Sequence, residues 1–250
     1  MEKYRNTIEF EVSGDYALFS DPATRAGGEK TSYPIPTYEA LKGVTHSIYW
    51  KPTIVWIIDA VRIMNQIQTE TKSIRPLLYN RAGNDLAYYT YLKNVRYQVL
   101  AHFEQNKNRP ELEADWNENK HHNIARRMVE RGGRRDIFLG TRECQGIVEP
   151  CTFGEGDGAY DAFQGELNFG HMYHGITYAD EAVLPEDKGM MTVRFWNPVM
   201  REKGVICFDR PEACVKKRHI REMSIKKFGE DNFIGLKEFD GEVSNFNPRS

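Results

Sequence analysis

Two hydrophobic periods, of two and of about 3.6 residues, take turns along the first 150 residues, and their order constrains the fold more than any other feature. Thr7-Ile8-Glu9-Phe10-Glu11-Val12 alternates strictly, which puts Ile8, Phe10 and Val12 on one face of a half-buried strand. Turn residues come next: Asp21-Pro22, Gly27-Gly28 and Pro34-Ile35-Pro36. Thr37 is placed to cap a helix whose apolar positions Tyr38, Leu41, Val44 and Ile48 recur at helical spacing, with Glu39 in its first turn and Pro52 closing it. Residues 53–58 are apolar and β-branched, suited to a strand buried on both faces. Beyond a polar stretch ending near 82–85, residues 87–103 read as one long extended segment with Tyr97, Val99, Ala101 and Phe103 on a single parity. Ile124, Ala125, Met128 and Val129 form a second helical stripe, stopped by Gly132-Gly133. Residues 137–148 read as a strand or hairpin, with Gly140 and Gly146 as kinks or points of close backbone approach.

Strand, helix, strand, strand, helix, strand is the split βαβ order of a ferredoxin-like (RRM-like) domain. The texture changes after Pro150. Met191, Val193 and Phe195 alternate with Thr192, Arg194 and Trp196, residues 205–208 form another short run, and no convincing amphipathic helix lies between. The expected architecture is therefore α+β, with a ferredoxin-like domain over residues 1–152 and a small antiparallel β domain over 153–250.

Composition narrows the class of molecule. With 40% hydrophobic and 28% charged residues, the chain is neither disordered, collagen-like nor a coiled coil. No apolar run approaches the ~18 residues of a membrane helix, and no signal peptide is evident behind Met1. The expectation is a soluble, cytoplasmic protein. Its four cysteines, Cys144, Cys151, Cys207 and Cys214, form no C-x-x-C pair and fit buried free thiols better than a metal site.

The net charge is only −2, yet it is unevenly spread. Residues 120–135 hold six cations against Glu130 alone, a net of +5, and residues 216–227 hold six against Glu222 alone, again +5. Such stretches suit a polyanion, and equally suit solvated helix or loop faces. Lys120-His121 stands near the start of the second helix, where unpaired N–H groups and the helix dipole favour phosphate. His122 is turned about 100° away around the helix. Tyr49, at the end of the first helix, can approach that start if the two helices pack on one sheet face, and its hydroxyl can bind or activate a ribose hydroxyl. Gly132-Gly133-Arg134-Arg135 could bring backbone and guanidinium groups to phosphates. His171 and His174 suit surface positions better than a zinc site, and Glu155, Asp157 and Asp161 read as turn residues. No two-metal acidic cluster and no G-x-S-x-G motif stands out.

Several longer stretches carry a family resemblance. Gly14-Asp15-Tyr16-Ala17-Leu18-Phe19, Gly27-Gly28-Glu29-Lys30, Ile48-Tyr49-Trp50-Lys51-Pro52-Thr53, Leu92-Lys93-Asn94-Val95, Asn119-Lys120-His121 and, most specifically, Gly132 through Gly140 with Glu143-Cys144-Gln145-Gly146 resemble the CRISPR-associated "Cas five" proteins of type I-C systems. The resemblance implies a ferredoxin-like fold with a small β domain. It implies an endoribonuclease, needing no metal or other cofactor, that cuts precursor CRISPR RNA at the base of each repeat hairpin. The protein would then stay on the product with the other subunits of a type I-C interference complex; the alternative is an RNA-holding subunit that does not cut. The family's catalytic tyrosine, lysine and histidine fall on Tyr49, Lys120 and His121. Lys30, Arg126, Arg127, Arg134, Arg135 and Arg142 are the expected RNA contacts.

Overall fold

The computed structural model describes residues 5–77, 83 and 85–226. The expected Lys227 of the second basic stretch, Ala82 and Asn84 of the polar stretch, and the remainder of the chain to 250 lie outside the described residues.

The first part of the chain runs β1 (Ile8–Ala17), a single helical turn α1 (Pro22–Arg25), α2 (Tyr38–Ile48), β2 (Ile54–Ile63), β3 (Thr69–Ile74), β4 (Ala87–Gln105), α3 (Glu118–Glu130), β5 (Ile137–Phe138) and β6 (Gln145–Pro150). The second part is β7 (Leu167–Asn168), β8 (Met172–Thr177), β9 (Met190–Trp196), β10 (Val199–Met200), β11 (Val205–Cys207) and β12 (Lys216–Glu222), joined by loops and 3₁₀ turns. The molecule mixes helices with antiparallel sheet throughout. A seven-stranded sheet has the order β11-β2-β4-β1-β6-β5, with β3 paired to the outer half of β4. Phe10 lies opposite Val99 in the β1–β4 register, and Ile58 opposite Ala101 in the β2–β4 register.

The two long helices form where the spacing places them. Thr37 caps α2 by accepting from the Ala40 amide at 3.2 Å, and Leu41, Val44 and Ile48 are buried. Asn117 caps α3 by accepting from the Lys120 amide at 3.0 Å, and His121, Ala125 and Val129 bury one stripe at four-residue spacing. α2 covers β2, while α3 covers β1 and β6. Ile8, Phe10, Val12, Val99, Ala101 and Phe103 face both helices in one core. The helices meet end to start, so the residue that closes α2 comes up against the first turn of α3.

The opposite face of β4 is covered too. Gln98, Leu100 and His102 are buried beside the helix-facing residues. The loop after Pro150 lies over the first of them: Gln98 donates to the Glu155 carbonyl at 2.7 Å and accepts from the Gly154 amide at 2.9 Å. The same loop encloses the Arg62 guanidinium, which donates to the carbonyls of Glu155 and Gly156 and to Asp161 at 2.6 Å. Glu155 and Asp161 thus do more than turn the chain.

Beyond residue 150 the described residues hold strands and 3₁₀ turns but no α-helix, as the sequence suggests. β12-β9-β8 make a three-stranded sheet and β10-β7 a pair. The sheet buries the polar parity of β9: Thr192, Arg194 and Trp196 lie inside, with Arg194 ion-paired to the buried Asp187 and donating to Thr177 at 2.8 Å. The surface position expected for His174 is corrected. The side chain is 0% exposed, stacked on Tyr38 with ring centroids 4.3 Å apart and donating from Nε2 to the Asp209 carbonyl at 2.8 Å. Its ring completes the contact between β8 and α2, and a three-residue histidine spacing carries no sign of that. β11 leaves the second part altogether and pairs with β2 in the main sheet.

Candidate active site

At one end of the main sheet the chain gathers four short features. These are the last residues after α2, the start of β2, a 3₁₀ turn over Pro110–Asp115, and the first turn of α3. Tyr49 ends α2 in extended backbone, with its amide still bonded to the Thr45 carbonyl at 2.9 Å. Trp56 locks it by donating to the Tyr49 carbonyl at 2.7 Å. The Tyr49 phenol then lies against His121, with Oη 2.7 Å from Nδ1.

His121 is 0% exposed and Tyr49 3%. The imidazole sits among the Phe103, Trp116 and Tyr49 rings, at centroid separations of 6.3, 6.0 and 6.0 Å. Its Nε2 lies 3.1 Å from the Asp115 carbonyl. A carbonyl only accepts, so Nε2 carries the proton, and Nδ1 of the neutral ring accepts from the Tyr49 hydroxyl. Burial first, then the neighbouring Lys120, hold the imidazole below its ordinary pKa, with Lys51 adding to them against the opposing pull of Asp115. The phenol is raised by burial and by Asp115, and the Arg134 guanidinium opposes the rise. Near neutral pH the pair is an uncharged phenol facing an uncharged imidazole poised as its base.

Lys120 closes the cluster on the solvent side. Its ammonium lies 2.6 Å from Asp115 Oδ1 and 2.7 Å from the Asp115 carbonyl. The second carboxylate oxygen accepts from Thr53 at 2.7 Å. The Lys120 and Asp115 side chains remain 41% and 38% exposed, so a phosphate can reach the lysine. His122 points elsewhere: its Nε2 donates to the Thr7 carbonyl at 3.1 Å. The adjacent pair is therefore divided by the helix into one buried imidazole facing Tyr49 and one tied to the start of β1.

The basic residues fall into three places. The α3 helix ends in Gly132 (φ +78°) and Gly133 (φ +109°), left-handed backbone that glycine adopts without strain. That turn lets the amides of Arg134 and Arg135 both donate to the Ser47 carbonyl at 3.0 Å, beside Tyr49. Both side chains are exposed and border a shallow depression of about 410 Å³ against Gln145–Val148. Arg126 and Arg127 are exposed on the outer face of α3. Lys30 and Arg142 lie elsewhere. Lys30 sits over the Tyr89 ring at 5.0 Å, and Arg142 belongs to the β5–β6 turn that meets the chain at Leu18, past the end of β1. His122 meets the start of β1, so this ten-residue strand, about 30 Å long, separates them from the cluster.

Sequence reasoning missed Asp115, Thr53, Lys51 and Trp116. Their only linear signal is position: Asp115-Trp116 stand just before the Asn117 cap, and Lys51 and Thr53 bracket the Pro52 that ends α2. Among the described residues no three His, Cys, Asp or Glu side chains gather as a metal site, and no helix is long and apolar enough to cross a membrane.

The chain as a whole is similar to known proteins. A family model described as "CRISPR-associated protein (Cas_Cas5)" matches residues 7–208. A protein of Mannheimia succiniciproducens named CRISPR pre-crRNA endoribonuclease Cas5d is 36% identical over 66 residues, 26% of this chain and 28% of that protein. One of the same name from Thermus thermophilus is 25% identical over 188 residues, 72% of this chain and 77% of that protein. A crystal structure titled as a CRISPR-associated protein superposes with a TM-score of 0.69 at 33% identity, covering 87% of this chain and all of the other. A functionally uncharacterized protein of Streptococcus mutans, SMU1763c, does so at 0.69 and 35%, with the same coverage.

Proposed function

This chain belongs to the Cas5 family of CRISPR-associated proteins, type I-C, and from that membership we propose that it is the endoribonuclease that processes precursor CRISPR RNA, with Tyr49, Lys120 and His121 as its catalytic residues. The observation that carries the reading is the 2.7 Å contact between Tyr49 Oη and His121 Nδ1, with the Lys120 ammonium next to it. The strand order β2-β4-β1-β6, with α2 and α3 on one face, supports a ferredoxin-like description of residues 1–152. Residues 153–250 are read as the smaller β part, and of its described strands β11 joins the main sheet.

RNA carries its own nucleophile. The 2′-hydroxyl attacks the adjacent phosphorus, a P–O2′ bond forms, and the P–O5′ bond breaks. A 2′,3′-cyclic phosphate and a 5′-hydroxyl remain. The proton leaving the 2′-oxygen passes to Tyr49 Oη as the phenol gives its own to Nδ1 of His121, so it ends on the imidazole. Lys120 neutralises charge on the phosphorane, and the departing 5′-oxygen takes a proton from water. No step of this reaction requires a metal. The substrate is the hairpin repeat of the precursor, and the product stays bound on Arg126, Arg127, Arg134 and Arg135, with Lys30 and Arg142 contacting a more distant stretch. Assembly with other interference-complex subunits, in the cytoplasm, is part of the same proposal and rests on the same membership.

One observation favours a second reading, an RNA-holding subunit that does not cut: both the phenol and the imidazole are enclosed. Repeat RNA incubated in excess chelator separates the two. Cleavage that disappears with a 2′-deoxy sugar at the cut site and with His121→Ala supports the enzyme. Tight binding with the RNA intact leaves only the holding role.

A further inference from the structure

We infer that Asp115 is the positioning residue of the cluster, fixing through one carboxylate and one carbonyl where the Lys120 ammonium lies and which nitrogen of His121 faces Tyr49. Its bearing on cleavage rests on the endoribonuclease proposal; its geometry does not. Four bonds, from three residues, converge on this one residue. The carbonyl takes the Nε2 proton of His121 at 3.1 Å, which leaves Nδ1 as the acceptor opposite the phenol. The carbonyl and Oδ1 together hold two of the three ammonium protons of Lys120, at 2.7 and 2.6 Å. The third is left for a phosphate oxygen. Oδ2 is pinned by Thr53 at 2.7 Å, tying the loop to the start of β2. A lysine on a four-carbon stem has no fixed place of its own, and this carboxylate gives it one.

The charged and titratable groups around the imidazole come from every neighbouring element. Tyr49 ends α2, Lys51 lies in the turn before β2, Asp115 ends the 3₁₀ turn, and Lys120 is in α3. Phe103 and Trp116 are its uncharged walls. Asp115 is the one anion in this set, so its loss removes the charge that favours the imidazolium.

The test uses the full chain labelled with ¹⁵N-histidine, read by NMR alongside single-turnover cleavage of repeat RNA. In the unsubstituted protein the neutral His121 ring carries its proton on Nε2. Asp115→Asn, which keeps the side chain's shape and the carbonyl, moves the His121 titration to lower pH. It slows cleavage ~10–100-fold, as losing an orienting partner does, while RNA affinity is retained, and Asp115→Glu restores much of the rate. A proton found on Nδ1, or Asp115→Asn cutting at the original rate with an unmoved titration, overturns the assignment. If the NMR pattern appears but the unsubstituted protein leaves RNA uncut, the endoribonuclease reading fails and the positioning role stands.

Discussion

The proposed chemistry comes down to one hydroxyl proton and the ring nitrogen that receives it. Because Nε2 of His121 is committed to a carbonyl, the imidazole has a single lone pair to offer, and Tyr49 occupies it. Tyr49→Phe keeps the ring and its packing but removes the relay. Cleavage is expected to fall by ~10²–10⁴ with RNA affinity unchanged, checked by single-turnover rates and filter binding. An equal loss of binding would instead make the phenol a contact residue. The resemblance pointed to Tyr49, Lys120 and His121, and the structure brings these three side chains together; helical geometry said that His121 and His122 face apart, without saying which of them meets the phenol. The roles were less legible. Nothing in the linear chain says that the imidazole is enclosed and lies behind the phenol, because that burial depends on Phe103 and Trp116 closing over it from other segments.

The third helix and its glycine stop do the arranging. His121, Ala125 and Val129 place the imidazole on the same stripe that anchors the helix to the sheet. The cluster is thus as rigid as the core beneath it. The two left-handed glycines then swing Arg134 and Arg135 back onto Ser47, so a basic turn is fixed beside Tyr49. If these arginines neutralise two phosphates, reversing both to glutamate weakens RNA binding and lowers the slope of log affinity against log salt by roughly 1.5. Binding measured across a salt series checks this, and an unchanged slope means the two side chains are merely solvated. Both long helices and the strands β1, β4 and β9 were readable from period, β2 and β11 from their apolar runs. Gly140 was also readable as a close approach: a Cβ there would lie 2.1 Å from the Leu18 carbonyl oxygen. The strand β3 was not, since Thr-Glu-Thr-Lys-Ser-Ile holds one apolar residue and pairs only with the outer half of β4.

The molecule as a whole is expected to tolerate alkali better than mild acid in one definable respect. Burial holds His174 down to about 4, with its Nδ1 facing no hydrogen-bond partner among the described residues. The unfolded chain binds this proton near pH 6.5, the folded one only near 4. The contribution is therefore complete above 6.5 and drains away as pH falls toward 4, by roughly 3 kcal/mol in all. Thermal unfolding midpoints between pH 7 and 4 should show the decline, and His174→Phe, which keeps a stacked ring, should lose that part of it. A slope identical in the variant would assign the effect to other groups. The second half of the chain was the less readable half for a related reason: β9 turns Thr192 and Arg194 inward, onto Asp187 and Thr177, so polarity there does not mark the solvent side.

The strand β11 bears on how the chain can be divided. Three residues from beyond position 200 hydrogen-bond along β2, an almost wholly apolar ribbon whose other neighbour is β4. A fragment ending near 152 would bare the amides and carbonyls that β2 turns toward β11 along Ala60–Arg62, an open template for self-association. The change of texture at Pro150 is a border in composition, and the molecule is buttoned across it.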